Sequence, residues 1–400
     1  MTSPTYFTQW MRVNNKLPQH LTDYLTTLPQ STPSWPYVLR SPGRINLIGE
    51  HTDYTGGLVL PASIDKAIYF AASPLDRPVW RLHAVDIGQT YTLPLPISGR
   101  TGQLWVDYLA GIGTQFQDQG HLLPGLEIVF GGDLPSGAGV SSSAALEGGT
   151  AFLLNHLLNA GLDRPALAQL CKRSSNTFLG IPSGIMDQFA SLNGLASGPI
   201  LLNCHTLAHE PVKDTLTDYG LLLVNSMVSH DLSDGAYADR VASCTRILET
   251  LQTAFPGLTH LSAATMEQLR VVQDQVEQTD YRRAAYVVQE NERVRQAITA
   301  LEAGNAHALG QLLNTTHEGL RDDYEVSCEE LDFLQQEANQ LGGVAGARLM
   351  GGGFGGCTLN LVRADAIDRI ATELRQRYRQ AFGINCETYP VRLAAGTDFV

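Results

Sequence analysis

Six cysteines, none in a C-x-x-C pair, no apolar run of membrane length and no surplus of positive charge mark this 400-residue chain. The cysteines (Cys171, Cys204, Cys244, Cys328, Cys357, Cys386) stand far apart, which argues against a zinc site or a disulfide frame and for reduced thiols in a reducing compartment. A net charge of −13 argues against nucleic acid or an anionic membrane as the main partner. The opening MTSPTYFTQWMRVNN lacks the apolar core of a signal peptide, so a soluble, cytoplasmic protein is expected. Internal repeats and low-complexity tracts are also missing. What remains is the composition of a mixed globular enzyme, 44% hydrophobic with 38 glycines, long enough for roughly two domains.

The rest of the chain is arranged around GDLPSGAGVSSSAALE, Gly132 to Glu147. An apolar strand-like run, Leu126–Phe130, enters it, and a helix-compatible run carrying Leu146, Leu153, Leu154, Leu157 and Leu158 leaves it. Between them lie only small residues: Ser136, Gly137, Ala138, Gly139, Val140, Ser141, Ser142 and Ser143. A glycine turn opening a helix leaves N–H groups bare at the positive end of the helix dipole, which suits phosphate. The serine hydroxyls can cap the helix, bond phosphate or ligate magnesium. Neither the lysine of a P-loop nor the third glycine of a dinucleotide fingerprint is present, so a plain tight turn into a capped helix remains the alternative.

Along the chain, residues 1–30 read as a helical lead-in, closed by a Pro/Ser/Thr stretch from Leu28 to Pro36. YVLR, INLIGEH, AIYFAAS, VWRLHAV and TYTLPLP read as strands. Trp105, Tyr108, Ile112 and Phe116 recur at helical spacing, and Ala166–Phe178 reads as a further helix. GIPSGIMDQFASLNG turns into a short helix, and ILLNC and LLLVNSM are strands. A mostly helical stretch to Leu341 precedes a second glycine cluster, RLMGGGFGGCTLNLV, then a helix and ETYPVRL.

The densest polar cluster is SPGRINLIGEHTDYTGG, Ser41–Gly57, with Arg44, Asn46, Glu50, His51, Asp53 and Tyr54 around a short apolar strand. Charges crowded at a strand end need solvent or partners, and carboxylates so placed can grip sugar hydroxyls. A solvated loop with an internal Arg–carboxylate pair is the plainer alternative. Zinc is disfavoured because no second histidine stands at ligand spacing. Asp187, among Met186 and Phe189, either steadies a helix dipole or orients a hydroxyl during phosphoryl transfer.

GRINLIGEHTDY, LPSGAGVSSSAALE and LMGGGFGGC, in that order, resemble the three motifs of the galactokinases within the GHMP family of small-molecule kinases. GIMDQF, NSMVSHDLSDGAYADR and LRDDYEVSCEELDFL extend the resemblance over about residues 36–392. It implies an α+β, two-domain GHMP-kinase-like fold with the active site between the domains, residues 1–210 and 211–400. It implies galactose and ATP as small-molecule substrates, Mg2+ as cofactor, and a chain working as a monomer. Glu50, His51, Asp53, Gly184 and Tyr237 would hold galactose. Arg44 would polarise the C1 hydroxyl, and Asp187 would serve as base or orienter. Gly137, Ala138, Gly139, Val140, Ser141, Ser142 and Ser143 would wrap the ATP phosphates, with Ser143 on magnesium. Trp105 would line the adenine pocket, or else anchor its helix in the core.

One position departs from the family pattern. Twelve residues before Asp187, where a magnesium-ligating glutamate is usual, stands Ser175, a poorer ligand for a hard cation. The resemblance leaves three rivals: an N-acetylgalactosamine kinase, a sugar-acid kinase, and a weakened galactose/ATP sensor. Thr52, where amino-sugar relatives carry a bulkier residue, favours galactose, and the intact Ser141–Ala145 run argues against the sensor.

Overall fold

A computed structural model describes residues 17–28, 35–135, 137–229 and 233–400. In chain order the first half runs α1 (Gln19–Thr27), β1 (Tyr37–Asn46), β2 (Leu58–Val59), β3 (Pro61–Pro74), β4 (Val79–Ala84) and β5 (Gln89–Pro94). It continues with α2 (Leu104–Asp118), β6 (Leu126–Gly132), α3 (Ser142–Leu158), α4 (Arg164–Arg173), α5 (Met186–Asn193), β7 (Ile200–Asn203) and β8 (His209–Pro211). The second half is β9 (Tyr219–Ser229), α6 (Ser233–Ala254), α7 (Met266–Val272), α8 (Gln278–Glu302), α9 (Ala306–Asp322) and α10 (Glu329–Gln340). It closes with β10 (Val344–Met350), β11 (Gly355–Arg363), α11 (Ile367–Phe382), β12 (Glu387–Val391) and β13 (Asp398–Phe399).

Two sheets carry the architecture. The first has the order β13-β1-β3-β6-β4-β5, antiparallel except for the parallel β4–β6 pair. Phe70, Leu82, Ile128 and Phe130 from its strands pack with Leu109, Ile112 and Phe116 of α2, Leu153 and Leu154 of α3, Leu170 of α4 and Phe189 of α5. α1 covers the other face through Leu21 and Leu25, against Val38, Ala71 and Val129. The second sheet, β10-β11-β9-β12, is wholly antiparallel. Its strands contribute Leu222, Val224, Ala347 and Val362 to a core with Leu334 of α10 and Ile370 and Leu374 of α11. Each strand set is apolar on both faces because helices cover both, as in the buried sheets of mixed folds. The last strand, β13, returns to pair with β1 of the first sheet.

Three sequence readings shift. INLIGEH is not a strand throughout: β1 stops at Asn46, and the chain turns at Gly49, whose φ of +103° and close approach to Leu58 O and Val59 Cα, 2.7 and 2.9 Å from where a Cβ would stand, suit only glycine. The helix read over Ala166–Phe178 is α-helical to Arg173 and then a π-turn from Ser174 to Leu179, where Ser175, Asn176 and Thr177 are weak helix formers. Of the lead-in, α1 is described, whereas residues 1–16 and most of the Pro/Ser/Thr stretch lie outside the described residues.

Candidate active site

A cleft of about 880 Å³ runs between the halves, walled by Arg44, Glu50, His51, Asp53, Tyr108, Ser143, Ser175, Gly184, Asp187 and Gln188 from the first and Tyr237, Gly351 and Gly352 from the second. Its centre is an ion pair. Arg44 leaves β1 at a register shift and donates Nε and Nη2 to Asp187 Oδ1 and Oδ2 at 2.8 and 2.7 Å. Its Nη1 donates to the Gly139 carbonyl at 2.5 Å, and its backbone N–H to Val140 O at 3.1 Å. Burial alone would lower the Arg44 guanidinium, but Asp187, Glu50 and Asp53 outweigh it and hold it above its ordinary value. Asp187 opens α5, where a carboxylate also suits the helix dipole, and its Oδ2 accepts a second bond from Ser141 Oγ.

That bond explains why no serine side chain caps α3. Ser141 stands at the N-cap position with φ +59° and turns its hydroxyl to Asp187 instead. Ala138 and Val140 are buried among Ile45, Met350 and Cys357, so only their backbones are available to a ligand. Gly137 and Gly139 have φ near +70°, which turns the loop back on itself. The second glycine cluster faces it, with the Met350 carbonyl close to Gly139.

The residues whose sequence pattern suggests a grip on sugar hydroxyls sit at the other end. Glu50 Oε1 accepts from Arg348 Nη1 at 2.9 Å and from the Gly351 N–H at 3.0 Å, and Oε2 accepts from Asn46 Nδ2 at 3.1 Å. Both partners of the Glu50–Arg348 pair are almost wholly buried. Arg348 also donates Nε to Leu47 O at 3.0 Å and Nη2 to Asn46 O, stitching β10 to the turn after β1. His51 Nε2 donates to Gly352 O at 3.2 Å while Nδ1 accepts from Tyr54 OH at 2.9 Å; burial lowers its imidazole to about 4, so the ring is neutral. The carboxyl of Asp53 is raised to about 7 by burial and by the charges of Asp187 and Glu50. Gly184 lies so near it that a Cβ would come within 1.6 Å of Asp53 Oδ2.

Some sequence-read residues lie elsewhere. Trp105 sits beside the cleft, its Nε1 bonded to Gln89 Oε1 at 2.7 Å and its ring against Phe130, whereas Leu104 and Tyr108 reach the wall. Thr52 is buried behind the wall, its hydroxyl bonded to Gly49 O and Leu58 O. Sequence reasoning missed Arg348, though a lone arginine inside the apolar strand GARLM was a visible signal. It also missed Glu147, which lies fully buried one helical turn after Ser143. Glu147 Oε1 accepts from Ser175 Oγ at 2.6 Å and Oε2 from Gln188 Nε2 at 3.2 Å.

The fold and the two facing glycine loops define a small-molecule kinase of the GHMP type. The family profiles described as GHMP kinases N terminal domain and GHMP kinases C terminal match residues 107–195 and 297–380. A mevalonate kinase, 18% identical, shares the fold with a TM-score of 0.65 over 89% of this chain and 98% of its own. The galactokinase galactose-binding signature matches residues 30–74. A galactokinase of Roseiflexus sp. is 36% identical over 91% of this chain and 93% of its own length, and one of Thermotoga petrophila is 36% identical over 90% and 99%. The crystal structure of Lactococcus lactis galactokinase complexed with galactose superposes with a TM-score of 0.90 at 33% identity, covering 95% of this chain and all of that one. The chain belongs to the galactokinase family.

Burial, offset in part by bonds from Ser175 and Gln188, raises the Glu147 carboxyl from its ordinary 4.5 to about 7. A carboxyl raised on folding keeps its proton in the native state longer than in the unfolded one. Its contribution to stability is therefore greatest below the ordinary value and falls as pH rises towards 7. In denaturant unfolding between about pH 4 and 7, Glu147→Gln should lose up to one proton's worth of that downward slope. A slope equal to wild type would contradict the burial argument.

Proposed function

We propose that the chain transfers the γ-phosphoryl of ATP to the anomeric C1 hydroxyl of D-galactose, giving galactose 1-phosphate for galactose catabolism. The observation that carries the residue roles is the Arg44–Asp187 pair at the meeting point of the nucleotide loop and the polyol-gripping end. Asp187 Oδ2 already holds two donors, and Oδ1 holds one, which leaves Oδ1 a lone pair for the acceptor hydroxyl. The hydroxyl aligned there surrenders its proton to the carboxylate as the C1 oxygen bonds to the γ-phosphorus and the bond from that phosphorus to the β,γ-bridging oxygen breaks, releasing ADP. Arg44, charged and fixed, steadies the negative charge spread over the transferring group.

Glu50, His51, Asp53, Gly184 and Tyr237 form the sugar end. Glu50 and His51 act mainly as rigid wall, since their polar atoms already have protein partners. Asp53, whose carboxyl is raised to about 7, is the group best able to exchange bonds with sugar hydroxyls. The backbone of residues 137–143 wraps the phosphates. Trp105 takes an indirect part in the adenine pocket, behind Leu104 and Tyr108.

Among the described residues no three His, Cys, Asp or Glu side chains group as a metal site. The oxygens present fit a magnesium ion that keeps most of its ligands from nucleotide and water: Ser143 Oγ, and Gln188 Oε1, which is buried on the cleft wall without a partner. Bound with ATP, the ion would neutralise phosphate charge. Ser175 is committed to Glu147 and offers it no carboxylate. Free, mostly buried thiols support a cytoplasmic setting, and we infer a monomer.

Asp187→Ala should leave galactose binding by calorimetry largely intact while removing most turnover, with Asp187→Asn as the variant that disturbs Arg44 least; wild-type turnover refutes the role. Gly184→Ala, which drives a methyl into Asp53, should raise the galactose KM about tenfold, or roughly 1.4 kcal/mol, more than it lowers kcat. An unchanged KM would remove Asp53 and Gly184 from the sugar end. Ser175→Glu should lower the magnesium concentration needed for half-maximal rate. If the magnesium requirement stays the same, position 175 plays no part in holding the metal.

A further inference from the structure

Beside the cleft, and sharing Asp53 and Tyr54 with it, lies a second cavity of about 330 Å³ that the transfer chemistry does not use. Lys172 of α4 reaches it from the first half, as does His205 from the turn after β7; Thr245 of α6, Thr259 and His260 face them from the second half. Lys172 is half-buried and makes no hydrogen bond or ion pair with any described residue. Opposite it, the His205 and His260 rings stack 4.0 Å apart at 14°, and Thr259 Oγ1 lies 2.8 Å from His260 Nδ1.

The charge balance of these walls is one-sided. The carboxylate present is Asp53, whose charge burial, Asp187 and Glu50 oppose and Lys172 favours. The thiols of Cys204 and Cys244 are pushed up by burial and stay uncharged. Burial, then His205, lowers His260, and the stacked pair offers ring N–H donors to the cavity. A lysine without an ion pair, two imidazoles and two hydroxyls around a cavity of about 330 Å³, in a protein of net charge −13, favour an anion with several acceptor oxygens.

We propose that this cavity binds a small oxyanion, a phosphate or carboxylate group, between the Lys172 ammonium and the His205–His260 pair. The group can arrive free or as the acidic substituent of a sugar seated in the adjoining cleft. The proposal does not depend on the residue roles assigned to phosphoryl transfer.

Histidine-detected NMR on the intact chain tests it, with inorganic phosphate titrated at constant ionic strength against chloride. Saturable shifts of the His205 and His260 ring signals, assigned through His205→Gln and His260→Gln, are expected. Lys172→Met should weaken binding at least tenfold, whereas Lys172→Arg should retain it. A parallel titration with galacturonate separates the two sources: shifts that galactose competes away mean a sugar-borne acid, and shifts it leaves alone mean a free anion. If neither probe gives saturable shifts, or if Lys172→Met binds phosphate like wild type, the proposal is overturned.

Discussion

The rest of the structure depends on the ion pair between Arg44 and Asp187. It joins the strand end of the first motif, the start of α5 and, through Gly139 and Ser141, the glycine loop before α3. Three stretches separated by up to 143 positions in sequence are thereby held at one point. Arg44 is nearly buried while Asp187 keeps 33% of its side chain exposed, so removing the carboxylate leaves the guanidinium without its main partner but within reach of water. Each stretch also brings something to the site: a fixed cation, a carboxylate, and a glycine-rich backbone before a helix start.

A second buried pair does the same for the other wall. Glu50 and Arg348 bind the turn after β1 to β10 and, through the Gly351 N–H, to the second glycine loop. Around them Tyr286 OH donates to the Glu50 carbonyl at 3.1 Å, and Glu290 accepts from the Gly49 N–H at 2.9 Å. The halves therefore meet through directional bonds to irregular backbone, not through apolar area alone. Buried ion pairs add little net stability over a well-packed apolar contact, but they penalise any other register of the turn. A cleft that must align a hydroxyl with a phosphoryl group depends on that fixed register.

Much of this was legible in the sequence because the chemistry-bearing residues cluster in short, glycine-bounded segments. Arg44, Glu50, His51, Asp53, Ser143, Gly184, Asp187 and Tyr237 fall on one cleft, and the strand–loop–helix around Gly132–Glu147 has the geometry its small residues suggest. Arg348, Glu290 and Glu147 were not legible in the same way. Their roles rest on partners 28 to 302 positions away, and periodicity marks such a residue as polar without naming its partner. Of the two readings of Trp105, its packing against Phe130 and the core agrees with the helix anchor, while Leu104 and Tyr108 of the same helix line the cleft. The π-turn at Ser174–Leu179 escapes helix rules because one extra residue in the turn re-aims Ser175 at Glu147.

If the assigned roles hold, this cleft joins the γ-phosphoryl of ATP to the C1 oxygen of galactose. The direct measurement is phosphorus NMR of the purified protein with ATP, magnesium and galactose, with N-acetylgalactosamine and glucose run alongside. One ADP is expected for each galactose 1-phosphate, dependent on magnesium, with little or no product from the other two sugars. Galactose binding without any phosphorylated product, or equal turnover of N-acetylgalactosamine, would contradict it.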